Sequence, residues 1–159
     1  MSAFKNATEF FHACESGQGW ETCRNLAEPN AGFDSQASAL TDIDTLEAYT
    51  NWMHGITNGP MVGSHYELTT SAFDDDKNTA IFFGTFFGIH SGEGGPVPAT
   101  GKKCASHYVY VMQLSGEGKV THMTKVWNDG WALKAPGWTQ EETEEPPDKK
   151  EALGCGRIG

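Results

Sequence analysis

Residues 79–90 read TAIFFGTFFGIH, a run without charged residues that is rich in β-branched and aromatic side chains. These residue types favour extended backbone, so the run predicts a strand of a sheet. It is apolar at both odd and even positions, and both faces of the strand must therefore be covered. Helices or a bound small molecule would cover one face. A second copy of the chain would cover the other, which predicts a homodimer through the sheet.

Three further runs of the same character predict strands at residues 65–73, 103–114 and 119–133. The connections DDDKN at residues 74–78 and SGEG at residues 115–118 are short turns, and a Gly/Pro-rich loop separates the other pair of strands. Short connections join antiparallel neighbours. The second half of the chain therefore predicts a mostly antiparallel sheet.

The first half of the chain predicts three helices. Apolar residues recur at helical spacing over residues 4–15 and 20–26, and again over a segment that opens at Asp44, whose carboxylate is a suitable cap. The second helix should end at the turn-prone residues 29–32, and the third at residues 58–60. Helices followed by an antiparallel sheet predict an α+β domain over residues 1–138. Residues 139–159 are acidic and proline-rich, which predicts a disordered tail.

Composition narrows the possible partners and location of the chain. The 159 residues carry a formal charge of −10, which disfavours nucleic acid as a partner because phosphate is bound through clustered Lys and Arg. No apolar stretch is long enough for a membrane span. The four cysteines are scattered and the first residues do not resemble a secretory signal, so we expect reduced thiols and a cytoplasmic protein. The four cysteines are Cys14, Cys23, Cys104 and Cys155.

Five short motifs together resemble one family, the SnoaL-like polyketide cyclases or ester cyclases of the NTF2-like superfamily. The resemblance covers roughly residues 4–138 and depends on the order and spacing of the motifs. They are FFGIHSG at residues 86–92, PATGK at 98–102, GKV at 118–120, WND at 127–129 and GW at 137–138.

The resemblance implies a conical, strongly curved sheet wrapped by three N-terminal helices, usually as a homodimer. It also implies an interior pocket for a small hydrophobic or polyketide-like molecule and acid–base chemistry without metal, Schiff base or nucleotide, so we expect no cofactor. The reaction would be of the cyclase, isomerase or hydratase kind. Family members carry an acidic residue on the last strand, and ungapped alignment places Asn128 at that position.

Side chains alternate along a strand, so His122, Thr124 and Asn128 share one face. The resemblance points that face inward. His122 would then be the base, because an imidazole can accept a proton at neutral pH. Asn128 would donate a hydrogen bond to a developing enolate oxygen. Asp129 is a third candidate that a one-residue bulge would bring inward. The alternatives are that His122 pairs with a neighbouring polar group, that Asn128 ends the strand and that Asp129 shapes a turn.

Aromatic and polar side chains on several elements are candidates for lining the pocket. For His90, anchoring of the Gly/Pro-rich loop is the alternative to ligand contact. The histidines lack the spacing of a metal site, so we expect no metal. The candidate pocket residues are Tyr49, Trp52, His65, His90, Tyr108, Thr124 and Trp127.

Because Asn128 stands where family members carry an acidic residue, two classes of function remain open for this chain. The first is a cofactor-independent acid–base enzyme acting on a small molecule. The second is a non-catalytic ligand-binding or dimerisation module that kept the fold and lost the chemistry.

Overall fold

The computed structural model describes residues 2–138 and has the predicted α+β architecture. Three helices precede most of the sheet: α1 (Ala3–Glu15), α2 (Trp20–Cys23), which continues into a 3₁₀ turn, and α3 (Leu46–Asn58). The strands are β1 (Ala27–Ser35), β2 (His65–Asp74), β3 (Thr79–Ile89), β4 (Lys103–Leu114) and β5 (Val120–Trp127), and a short helix α4 (Asp129–Lys134) follows.

The five strands form one curved sheet in the order β1-β5-β4-β3-β2. All neighbours are antiparallel except β1, which runs parallel to β5. The prediction of a mostly antiparallel sheet packed against N-terminal helices is therefore confirmed.

Strand β1 corrects the predicted turn at residues 29–32. Pro29 and Gly32 indicate a turn in the sequence, but both are accommodated because β1 is an edge strand and its register with β5 shifts between Ala27 and Gly32. An edge strand tolerates a residue without an N–H on its unpaired side. Gly32 also faces His122, because a Cβ at this position would come within 2.6 Å of the imidazole Nδ1.

The cap of α3 and the end of the last strand also differ from prediction. Thr45, not Asp44, caps α3, and its hydroxyl accepts a hydrogen bond of 3.1 Å from the Ala48 amide. Strand β5 ends at Trp127 rather than at residue 133. The side chain of Asn128 accepts a hydrogen bond of 3.0 Å from the Trp131 amide and so begins α4.

The core lies between the helices and the concave face of the sheet. Phe11 of α1 is fully buried at its centre and stacks on Phe82 of β3, with ring centroids 4.9 Å apart. Tyr66 and Tyr110 pack edge-on against the same ring. This aromatic centre fixes α1 across β2, β3 and β4, and it directs the C-terminal end of α1 towards β5.

Residues 139–159, the predicted acidic tail, lie outside the described residues, and the division of the chain at residue 138 stays a prediction. Within residues 2–138, none of the helices has the length and apolar character that a membrane crossing requires.

Candidate functional site

Strand β5 presents the opposite face to the interior from the one predicted. Met123 and Lys125 are 0 % and 5 % exposed, whereas Val126 is 60 % exposed. The reason is a register shift in the β4–β5 pairing: Gln113 pairs with His122 but Leu114 pairs with Val120, leaving Thr121 as an extra residue. Such a bulge reverses the alternation that follows it.

His122 and Thr124 consequently lie on the outer face of the sheet. His122 Nε2 is 2.7 Å from the Asp34 Oδ1, and the Thr124 hydroxyl donates to the same oxygen at 2.6 Å. These bonds lower the pKa of Asp34, the Thr124 bond having the larger effect. His122 thus pairs with a neighbouring polar group, and the prediction that it faces the cone interior is wrong.

Asn128 and Asp129 act locally in the structure. Asn128 is exposed and caps α4. The Asp129 carboxylate accepts a hydrogen bond of 2.8 Å from the Ala39 amide and so ties α4 to the segment after β1. Asn128 therefore lies outside the interior, and the prediction that it donates a hydrogen bond to an enolate oxygen there is wrong.

An apolar pocket opens inside the cone between α3, the inner faces of β3 to β5 and the segment after β5. Its cavity volume is about 40 Å³. We call it the inner pocket. Its lining residues are Glu15, Trp52, Met53, Ile56, Met61, Phe86, Cys104, Ser106, Tyr108, Lys125, Trp127, Ala132, Leu133 and Trp138.

Three of the predicted pocket residues, Trp52, Tyr108 and Trp127, line the inner pocket. Tyr49 is fully buried behind it. His65 is exposed and stacks on Phe87 at a centroid distance of 4.8 Å, away from the inner pocket. Thr124, as described above, is also outside.

His90 is fully buried and holds the Gly/Pro-rich loop. Its backbone accepts a hydrogen bond of 2.8 Å from the Gly101 amide, and its Nδ1 accepts one of 2.8 Å from the Trp138 indole. Trp138 lines the inner pocket, so His90 acts on the pocket through Trp138 rather than as part of its lining.

Two charged residues that sequence reasoning missed lie in the inner pocket. Glu15, the last residue of α1, is 2 % exposed, and Lys125 of β5 is 5 % exposed. A carboxylate at a helix C-terminus is also unfavourable for the helix dipole. Buried charged residues are costly unless partnered, which makes this pair a candidate for function.

Glu15 ends a chain of buried hydroxyl groups. The Tyr110 hydroxyl donates to Glu15 Oε1, so its oxygen is free to accept from the Tyr49 hydroxyl, with which it is also hydrogen-bonded. Burial raises the pKa of Glu15, while Lys125 and the tyrosine hydroxyls act in the opposite direction. Burial likewise raises the pKa of Tyr49 and Tyr110, which keeps both phenols protonated.

The Tyr108 hydroxyl is another buried polar group of this site. Tyr108 is 3 % exposed and influences the pKa of Glu15, yet its hydroxyl makes no hydrogen bond of ordinary geometry within residues 2–138. Burying a hydroxyl without a partner costs about 1–3 kcal/mol. Because Tyr108 lines the inner pocket, a bound molecule could supply the missing partner.

Lys125 lies in a ring of five aromatic side chains, which we call the aromatic cage. Its Nζ is 4.0 Å from the centroid of Trp127, with the other four centroids at 5.3–5.8 Å. Burial lowers the pKa of Lys125 to about 8, whereas Glu15, Cys14 and Asp129 act to raise it. The cage consists of Tyr49, Trp52, Tyr108, Tyr110 and Trp127.

The alternation of β5 itself could have indicated this arrangement. Met123 and Trp127 flank Lys125 on one face and are larger and more apolar than the residues of the other face. Glu15 likewise follows Phe11 by one helical turn, on the apolar side of α1. A charged residue within an apolar stripe is the signal in both cases.

Comparison with known structures identifies the fold of the chain that carries this site. A proposed SnoaL-like polyketide cyclase from Jannaschia sp. CCS1 superposes with a TM-score of 0.68, at 13% identity over 87% of this chain and 93% of the other. The chain has the NTF2-like fold of the SnoaL-like polyketide cyclases. IdmH, a proposed polyketide cyclase from Streptomyces antibioticus, also gives 0.68, at 15% identity over 86% and 99% of the two chains.

A further structural neighbour is AclR, a proposed hydroxylase from Streptomyces galilaeus. It has a TM-score of 0.62 and 18% identity over 93% of this chain and 91% of the other. No protein-family model and no curated protein sequence matches the chain. The comparisons therefore establish the fold alone.

Proposed function

We propose that the chain is a cofactor-independent acid–base enzyme that acts on a small hydrophobic or polyketide-like molecule, in a cyclase, isomerase or hydratase type of reaction. The observation that carries the proposal is the burial of Glu15 and Lys125 in one apolar pocket. The Tyr108 hydroxyl, which makes no hydrogen bond of ordinary geometry within residues 2–138, lies in the same pocket. The proposed polyketide cyclases among the structural neighbours support it at the level of the fold.

Opposite pKa shifts suit Glu15 and Lys125 to proton transfer. Burial raises the pKa of the carboxyl group and lowers that of the amine to about 8, so both move towards neutrality. Proton donors and acceptors work best when their pKa lies near the operating pH. The Tyr108 hydroxyl can donate a hydrogen bond to a carbonyl or enolate oxygen of the substrate, the role first expected of Asn128.

The test is a ligand panel followed by matched variants. Small aromatic, polyketide-like and epoxide compounds are screened by tryptophan fluorescence, because Trp52, Trp127 and Trp138 line the inner pocket. Turnover of each binder is followed by mass spectrometry. Glu15→Gln keeps the shape of the side chain but removes its acid–base function, which should lower turnover by about 10²–10⁴-fold. His122→Ala, on the outer face, is the control and should leave turnover unchanged. Equal activity of the Glu15→Gln variant would contradict the proposal.

A second candidate is a non-catalytic ligand-binding module. The small size of the inner pocket favours it, because a cavity of only about 40 Å³ remains between large apolar side chains. Panel compounds that bind without any turnover, with equal affinity for the chain and its Glu15→Gln variant, would support this candidate over the enzyme.

We also propose a homodimer through the outer face of the sheet. Ile81 and Ile89 are each 42 % exposed there, and Val126 is 60 % exposed. Val126 pairs with Val109, which pairs in turn with Phe83, so apolar side chains continue across three strands. Such a face is typical of an interface. Light scattering should give twice the chain mass, and Val126→Glu should shift the protein towards the monomer. A monomer at all concentrations would contradict the proposal.

The predicted cytoplasmic location is retained as a proposal. Cys14, Cys23 and Cys104, the cysteines of the described residues, are all free thiols. Free thiols are typical of proteins in reducing compartments. Fractionation of cells of the source organism, with detection of the native chain, would test the location.

A further inference from the structure

The amine of Lys125, like the Tyr108 hydroxyl, is a polar group of the inner pocket that makes no hydrogen bond of ordinary geometry within residues 2–138. Its contacts are with the rings of the aromatic cage, and within residues 2–138 its Nζ has neither a hydrogen bond nor a direct ion pair with Glu15. A lysine that serves only to neutralise a buried carboxylate would be expected in direct contact with it. The Lys125 Nζ is instead directed among the rings, where it and Glu15 both line the pocket.

We propose that Lys125 is a nucleophile that forms an imine with the carbonyl carbon of an apolar aldehyde or ketone bound in the inner pocket. This inference rests on the proposed function, because it names the substrate class of the same site. It departs from the chemistry without a Schiff base that the family resemblance implies. Two observations support it: the Nζ has no competing hydrogen bond from the described part of the chain, and the pocket walls are largely apolar, which suits an uncharged carbonyl compound.

The neighbouring groups complete the chemistry of imine formation. The nitrogen lone pair of neutral Lys125 forms a C–N bond with the carbonyl carbon, and the C=O electron pair moves to oxygen. The nitrogen loses a proton and the oxygen gains one, which gives a neutral carbinolamine. The C–O bond then breaks as the Glu15 carboxyl donates a proton, so one water molecule leaves and the protonated imine remains. The Glu15 carboxylate can now remove a proton from the adjacent carbon to give an enamine. Reprotonation and hydrolysis, which consumes one water, regenerate the amine and the carbonyl.

The charge state of the amine at neutral pH is compatible with this role. Only an unprotonated amine is a nucleophile, and burial lowers the pKa of Lys125 to about 8. The titratable groups that face it are Glu15 and Cys14 from α1, Asp129 from α4, Tyr49 from α3, and Tyr108 and Tyr110 from β4. At pH 7.5 the neutral fraction of Lys125 is on the order of 100-fold larger than that of an exposed lysine.

Reductive trapping tests the inference. The full chain is incubated at pH 7.5 with benzaldehyde and sodium cyanoborohydride, which converts an imine into a stable secondary amine, and is then digested with trypsin. Trypsin does not cleave after an alkylated lysine, so labelling at Lys125 yields an uncut peptide of residues 120–134. We expect this peptide to be labelled at least tenfold faster than peptides containing the exposed Lys103.

Matched variants and a matched ligand serve as controls. Lys125→Arg keeps the charge without the nucleophile and should lose the labelled peptide. Should this variant fail to fold, an excess of benzyl alcohol, which has the shape of the aldehyde without the carbonyl, should suppress labelling of Lys125 in the unchanged chain and not of Lys103. Glu15→Gln should slow labelling by about tenfold or more, as expected on loss of a general acid.

The possible failures are distinguishable. If benzyl alcohol binds in the pocket and Lys125 is labelled no faster than Lys103, the imine is overturned and the proposed acid–base function remains. If neither benzyl alcohol nor any member of the ligand panel binds and no preferential labelling occurs, both the imine and the proposed function are overturned.

Discussion

Replacing Lys125 by methionine should change how the free energy of unfolding depends on pH. The pKa of Lys125 is about 8 in the folded chain against 10.5 for an unperturbed lysine. The folded state therefore binds this proton more weakly than the unfolded state. The resulting destabilisation is fully present below pH 8 and disappears as the pH rises above 10.5. A difference of 2.5 pKa units corresponds to about 3 kcal/mol at neutral pH.

The comparison with Lys125→Met isolates this contribution, because methionine has similar length and no charge. Between pH 7 and pH 10, the unchanged chain should gain about 2.5 kcal/mol of stability relative to the variant. Urea unfolding followed by tryptophan fluorescence at several pH values measures the difference, and titrating groups distant from Lys125 cancel between the two proteins. A stability difference that stays constant over this range would mean that Lys125 titrates normally, which would refute the account of a desolvated amine in the aromatic cage.

Three further substitutions test the fold and the assignment of the site. Phe11→Ala removes the buried ring at the centre of the core and should lower the free energy of unfolding by about 3–5 kcal/mol in urea titrations. Thr45→Ala removes the cap of α3 and should cost about 1 kcal/mol by the same method. His122→Ala breaks an exposed pair with Asp34, so we expect a loss below about 1 kcal/mol and unchanged ligand affinity by fluorescence titration.

Each of these three results has a clear contrary outcome. A loss below 1 kcal/mol for Phe11→Ala would place that ring outside a packed core. No loss for Thr45→Ala would mean that another residue caps α3. A large loss of ligand affinity for His122→Ala would indicate that the ligand binds on the outer face of the sheet.

Much of the fold could be predicted from local pattern. Apolar runs and turn residues predict strand β4 and the turn between β2 and β3. The periodicity of apolar residues predicts α1. Strand β1 could not be predicted, because its pairing with β5 is a contact between residues distant in sequence. That pairing, at the edge of the sheet, offsets the local preference of Pro29 and Gly32 for a turn.

The site was harder to predict because it depends on one extra residue. The alternation of β5 is reversed at Thr121, and a bulge leaves no dependable mark in a single sequence. Family resemblance at Asn128 then favoured the wrong face. The apolar pair Met123 and Trp127 around Lys125 was the better guide, since burial of large apolar side chains outweighs the similarity of a single aligned position.

Methionine methyl groups can report where a small molecule binds. Met53 and Met61 line the inner pocket, and the Val126 methyl groups lie on the outer face of the sheet. Spectra of protein labelled with ¹³C at methionine and valine methyl groups are recorded during titration with benzyl alcohol. We predict that the Met53 and Met61 resonances shift and that those of Val126 do not. Shifts at Val126 with Met53 and Met61 unchanged would contradict a ligand site beside Glu15 and Lys125.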